Sequence, residues 1–187
     1  MISMSRMVMT LPAMLMALSL WLQAQTASKG AAPPKPPTAT MQVQSNLNQL
    51  MRGVLYPASN VVFSAQTDNP ADAKFVPGQD PSMATDPLVS TFGGWQAVEN
   101  AALALTESAN LLLIPGRNCA NGVPVPMDNP DWSKFVQELR DAGMKAYTAA
   151  QSKNQDKMVE AADTLSAACA GCHRKWREKP RLADRCK

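Results

Sequence analysis

Histidine is nearly missing from this chain: His173 is the only one among 187 residues. Any site that needs two imidazoles is therefore excluded, and the choice of metal ligands is narrow. Also lacking are a glycine-rich nucleotide loop, a conspicuous pair of carboxylates and a convincing strand pattern, so an independent enzyme has little to stand on. With 45% apolar and 18% charged residues the composition is nonetheless globular. After subtraction of a targeting segment and a tail, the length suits one domain of about 100–150 residues.

What is present begins with an export pattern. Arg6 supplies a positive charge, and residues 7–22 form an apolar run broken by Thr10, Pro12 and Ser19. The run is short for a membrane span. A signal peptide over residues 1–27 is expected, with cleavage after Ala24 or Ala27, although Leu22 and Gln25 fit the small-residue rule at minus three poorly. No cysteine ends the run, so a lipoprotein lacks its acceptor; an uncleaved anchor stays open as the alternative. Residues 28–40 carry four prolines and little apolar bulk, the composition of an extended linker.

The domain is expected over residues 41–179, with a basic tail over 180–187. From Val43, apolar residues recur at three- and four-residue steps through Leu47, Leu50, Val54, Ala58, Val61 and Ala65, predicting a helix that Pro57 kinks or splits at Tyr56. Residues 68–91 read as a long connection. A second helix is predicted over 94–114, with Trp95, Val98, Ala102, Leu105, Ala109 and Leu112 on one stripe and Pro115-Gly116 as its stop. Asn129-Pro130 opens a third, with Trp132, Val136, Leu139, Gly143, Tyr147 and Ala150 inward. After a polar break at 153–155 the fourth carries Val159, Ala162, Leu165, Cys169, Cys172 and Trp176, ending before Pro180. Two short links and one long one describe an all-α, antiparallel four-helix bundle; a different helical array is the alternative.

Chemistry concentrates in Cys169-Ala170-Gly171-Cys172-His173, the c-type haem attachment pattern. Two thiols three residues apart share a helix face, where each can form a thioether with a haem vinyl group, and His173 can offer a ring nitrogen to iron. Export fits, because c-type haem is generally attached outside the cytoplasm. A thioredoxin-like site wants its cysteine pair after a strand. Zinc would need Cys119 and Cys186 as well, without a second close pair. A disulfide between Cys169 and Cys172 would strain the helix.

A four-helix bundle with CxxCH on its last helix resembles the cytochrome c prime family, the class II c-type cytochromes. The likeness covers roughly residues 41–179. It is carried by CAGCHRKWR on the last helix and by Asn48-Gln49-Leu50-Met51 in the first. The resemblance implies one covalent haem c on Cys169 and Cys172, with His173 as an axial iron ligand. In low-spin members a methionine early in the first helix is the second ligand, and Met51 occupies that place. High-spin members leave the position open to small gases such as NO and CO, so an open-site gas-binding protein is the alternative to a periplasmic single-haem electron carrier. Bundle geometry alone puts Met51 and His173 in one layer, yet a helix-interior methionine is usually core filler, and both readings of Met51 stand. Ligation by His and Met raises the potential relative to two histidines, an arrangement the single histidine excludes.

Arg52, and Arg117 in the loop before the third helix, are candidates for pairing with haem propionates, with plain surface charge the stronger reading for Arg117. Trp95, Trp132, Tyr56 and Trp176 read as core or haem-packing aromatics. Residues 174–187 hold seven Lys or Arg against Glu178 and Asp184, either a patch that steers an acidic redox partner, such as a periplasmic dehydrogenase or oxidase, or a solvated helix end. Cys119 and Cys186 are expected at one end of the bundle, where they form a disulfide, remain free thiols or pair between molecules. Family members often dimerise through their first two helices; no nucleic-acid partner and no membrane span after signal cleavage are expected.

Overall fold

Asn46 decides where the first helix begins. Its side chain accepts from the Gln49 N–H (2.9 Å) while the Gln49 side chain accepts from the Asn46 N–H (3.0 Å), a reciprocal cap that satisfies two otherwise orphaned donors. The computed structural model describes residues 40–73, 78, 80, 86–89 and 91–187. The expected export signal, and the linker through residue 39, lie outside the described residues. Helix α1 (Leu47–Leu50) therefore starts four residues after Val43, where the apolar pattern had begun.

From α1 the chain passes through one π-helical turn, Met51–Leu55, into α2 (Tyr56–Thr67). Pro57 has no N–H for the carbonyl of Gly53, and its ring crowds that oxygen. The helix accommodates it with a wider turn, in which the Tyr56 N–H donates to the Met51 carbonyl five residues back. One inserted residue rotates everything after it by about 100°. Leu50 and Leu55 are accordingly both buried although five apart, and the buried face continues through Ser59, Val62 and Ala65. The stripe expected through Val54, Ala58 and Val61 is corrected by one residue, since these three are only half-buried.

Helix α3 (Trp95–Ser108) tightens into a 3₁₀ segment, Ala109–Leu113, and all six residues of its expected stripe are buried. Gly94 precedes it at φ 63° and ψ −140°, where a Cβ would come within 2.8 Å of the Pro70 carbonyl oxygen, so glycine is required there. Helix α4 (Pro130–Gln151) follows Asn129, whose side chain accepts from the Asp131 N–H (3.0 Å). Tyr147 is half-buried and Ala146 fully buried. Lys153, at φ 51°, turns the chain, and the Asn154 side chain caps α5 (Gln155–Trp176). On α5 the expectation for Val159 fails: it is 38% exposed, and its neighbour Met158 fills the core instead. A flexible thioether fits an irregular gap that a β-branched side chain does not.

The helices pack around one core, α2 against α3 and α5, and α4 against the same two. Among the described residues there is no strand, only an isolated bridge between Asn118 and Pro124. No described helix is long and apolar enough to cross a membrane. The compact unit runs from Met41 to Lys187. Residues 180–187, set apart as a tail in the sequence, thus fold onto it.

Gly143 is what lets α4 approach α3 closely. A Cβ there would overlap Thr106 Oγ1 and lie 3.1 Å from the Thr106 nitrogen and 3.2 Å from the Ala102 carbonyl oxygen. The Thr106 hydroxyl donates to that same carbonyl (3.0 Å), so rotating it away sacrifices a buried hydrogen bond. Gly143→Ala should therefore destabilise the protein by about 1–2 kcal/mol, despite the gain of up to about 1 kcal/mol that alanine brings to a helix. Urea unfolding measures this; an unchanged or higher midpoint would show that α3 and α4 separate without cost.

Candidate functional site

Cys169, Gly171, Cys172 and His173 all lie in the last two turns of α5, where helical periodicity puts the two cysteines one above the other. Both thiols are free and half-buried, packed against the core. Burial raises the Cys169 thiol, with the Arg177 guanidinium opposing. Cys172 is pushed up to about 11, first by burial and then by Cys169, again against Arg177. His173 is lowered by burial and by Arg177, with Glu178 acting the other way. At neutral pH the arrangement presents two neutral thiols and a neutral imidazole.

Helix α4 covers this stretch. A Cβ on Gly171 would stand 3.1 Å from Cε1 of Phe135 and 3.8 Å from Oε2 of Glu138, so α4 lies close against α5 at Gly171, on a side of the helix turned away from the two cysteines. Neither residue was identified from the sequence. The only available signal was Phe135 lying three residues beyond the inward Trp132. Lys175 pairs with Asp131 at the start of α4 and stands 5.1 Å from the Trp176 ring centroid. Trp176 packs on Trp132 at 6.2 Å, and both are buried as expected. The Trp132 indole donates to the Leu112 carbonyl (3.0 Å), whereas the buried Trp176 indole nitrogen has no partner among the described residues.

Three segments meet at this end of the molecule. The Leu47 N–H donates to the Asn118 carbonyl (2.8 Å), tying the start of α1 to the loop of residues 114–129. Cys119 in that loop is disulfide-bonded to Cys186, whose N–H donates to the Trp176 carbonyl (2.8 Å). Asn121 adds two bonds, to the Leu182 and Arg185 carbonyls (both 3.0 Å). Starting from this pinned layer, Met51 is four residues into the first helix and Cys172 four residues back along α5, each about 6 Å deeper. Met51 is half-buried and packed against the core. At the far end, Gln155 at the start of α5 donates to the Ala65 and Gln66 carbonyls at the end of α2 (both 3.4 Å).

The two arginines separate. Arg52 is exposed on the π-helical turn. Arg117 is not a surface charge. It is 5% exposed, and its guanidinium donates to the Ser45 carbonyl (2.6 Å), the Ser45 hydroxyl (3.0 Å) and the Leu111 carbonyl (3.2 Å). Burial lowers its pKa, and it acts as a bracket between the chain entering α1 and the segment after α3.

A four-cysteine zinc site loses its ligands, because Cys119 and Cys186 are bonded to each other. Among the described residues no group of three or more His, Cys, Asp or Glu could hold a metal ion. What the set at residues 169–173 can do is add each S–H across a carbon–carbon double bond, sulfur to one carbon and hydrogen to the other, and offer one ring nitrogen as a Lewis base. These are the requirements of covalent haem attachment, and free thiols on a common helix face fit that group. No protein-family model, no curated protein and no solved structure matches the chain.

Proposed function

We propose that this chain is an exported, single-haem c-type cytochrome of the class II, cytochrome c prime type. In this reading the four packed helices form an antiparallel bundle, Cys169 and Cys172 hold one haem c, and the protein passes one electron between redox partners in the periplasm rather than acting as an enzyme. The observation that carries it is the pair of free, half-buried thiols one turn apart on the final helix, followed directly by His173, at the end where the first helix begins. When bound, such a haem supplies an iron that changes oxidation state by one electron. Around it the chain's residues have separate tasks. His173 would hold the iron through a ring nitrogen, and Met51 through its thioether sulfur. Arg52, exposed at the same end, is the available guanidinium for a propionate. Phe135 against Gly171 holds α4 close to the helix that carries the cysteines.

Absorbance spectra test the assignment of Met51. Haem-loaded wild-type protein, when reduced, should show sharp alpha and beta bands and resist carbon monoxide. Met51→Leu, which keeps the volume and removes the sulfur, should broaden those bands and admit the gas. A wild type that is already high-spin and binds carbon monoxide would exclude Met51 as a ligand and favour the gas-binding alternative.

A further inference from the structure

Charge is distributed unevenly over the described unit. Residues 174–187 hold seven Lys or Arg against two acidic residues, while residues 41–173 hold eight against 13 Asp or Glu. Three of the seven cations are engaged in ion pairs, Lys175 with Asp131, Arg177 with Glu178, and Arg181 with Asp184. The other four, among them Lys179 and Arg185, enter no ion pair among the described residues. A loose tail would spread these charges over a large volume. Here the disulfide to Cys119, the Cys186 to Trp176 bond and the two Asn121 bonds hold the segment against the end of α5 and the neighbouring loop. Within it, on the 3₁₀ turn Leu182–Asp184, Leu182 is 53% exposed. An apolar spot bordered by cations is the composition of a docking surface, with an apolar centre and a charged rim.

We infer that this pinned basic face is where the protein docks an acidic surface of its redox partner, with Leu182 as the apolar contact. The inference rests on the haem reading of the same end of the molecule. Cations fixed within a few turns of His173 guide an acidic partner to the edge where the electron crosses, and the surplus of acid on residues 41–173 turns the other faces away.

The test uses haem-loaded, reduced protein and two one-electron oxidants of opposite charge, hexacyanoferrate(III) and tris(phenanthroline)cobalt(III). Oxidation by the anion should slow by about tenfold between about 0.01 M and about 0.15 M salt, where the screening length falls from about 30 Å to about 8 Å, while the cation shows the opposite trend. Lys179→Glu with Arg185→Glu, at unchanged haem content and helicity, should remove or invert that preference. Rates blind to the sign of the oxidant and to the double variant would overturn the docking surface. Co-sedimentation with vesicles containing one-third anionic phospholipid, or salt-sensitive dimerisation in the ultracentrifuge, would overturn it in favour of a membrane or a second copy of the chain. Absence of covalent haem from the purified wild type is a different failure, since it would remove the reading on which the inference rests.

Discussion

Cys169→Ala combined with Cys172→Ala should abolish covalent haem attachment altogether: a chain exported alongside the c-type attachment machinery would carry no haem that survives denaturing electrophoresis. The two thiols are the only free ones among the described residues, because Cys119 and Cys186 are joined, so no other cysteine can substitute. Each single variant keeps one thioether and should load partially. Folding does not confound the result. Each change removes one half-buried, methylene-sized group, worth about 0.8 kcal/mol, from a helix that alanine favours. Circular dichroism should therefore remain helical while the haem signal disappears. Haem that stays attached in the double variant would sink the proposed function outright.

Loss of the Cys119–Cys186 disulfide should have the largest effect on stability. The bond between Cys119 and Cys186 spans 67 residues and encloses all of α4 and α5, including the thiols and His173. Constraining a loop of that length in the unfolded chain is worth about 4 kcal/mol in the chain-entropy account, against a total of about 5–15 kcal/mol for a typical domain. Cys186 also holds a left-handed backbone, φ 64°, that it would leave once untethered. Cys119→Ser with Cys186→Ser should lower the urea midpoint by an amount equivalent to several kcal/mol. Reductant should do the same to the wild type and nothing further to the variant. Equal midpoints with and without reductant would show that the loop and tail are held by their hydrogen bonds alone. Because the disulfide anchors a loop that the Leu47 to Asn118 bond joins to the start of α1, the variant should load haem less efficiently even though Cys169 and Cys172 are intact.

How far the site was legible differs residue by residue. The placement of Cys169, Cys172 and His173 together was readable because it depends on spacing along one helix, and α5 delivers that spacing whatever surrounds it. The stripe of α3 and the 3₁₀ segment after it was readable in full, since apolar residues recur there at three- and four-residue steps. On the first helix the same method failed after Leu50. Pro57 was visible, but not the choice between a kink and a wider turn. The fold resolves it toward the geometry that buries Leu55, Ser59 and Val62 against α3 and α5. Arg117 looked like surface charge because nothing local reveals that the Ser45 and Leu111 carbonyls, on separate segments, converge on it. Phe135 and Glu138 could not be tied to Gly171 for the same reason: the pairing depends on how α4 lies across α5.

The sequence by itself thus determined the helical class, most helix limits through Asn129-Pro130 and the stops at Pro115-Gly116 and Pro180, and the placing of Cys169 and Cys172 on one helix face. All of these depend on interactions within a few residues, where backbone hydrogen bonds and periodicity act. Only the tertiary structure decided which side of the first helix faces the core, that Met158 rather than Val159 fills the interior, that Arg117 is buried, and that Cys119 finds Cys186. Each of those outcomes is a competition among groups distant in the chain, settled by which packing buries the most apolar surface while leaving the fewest polar atoms without partners.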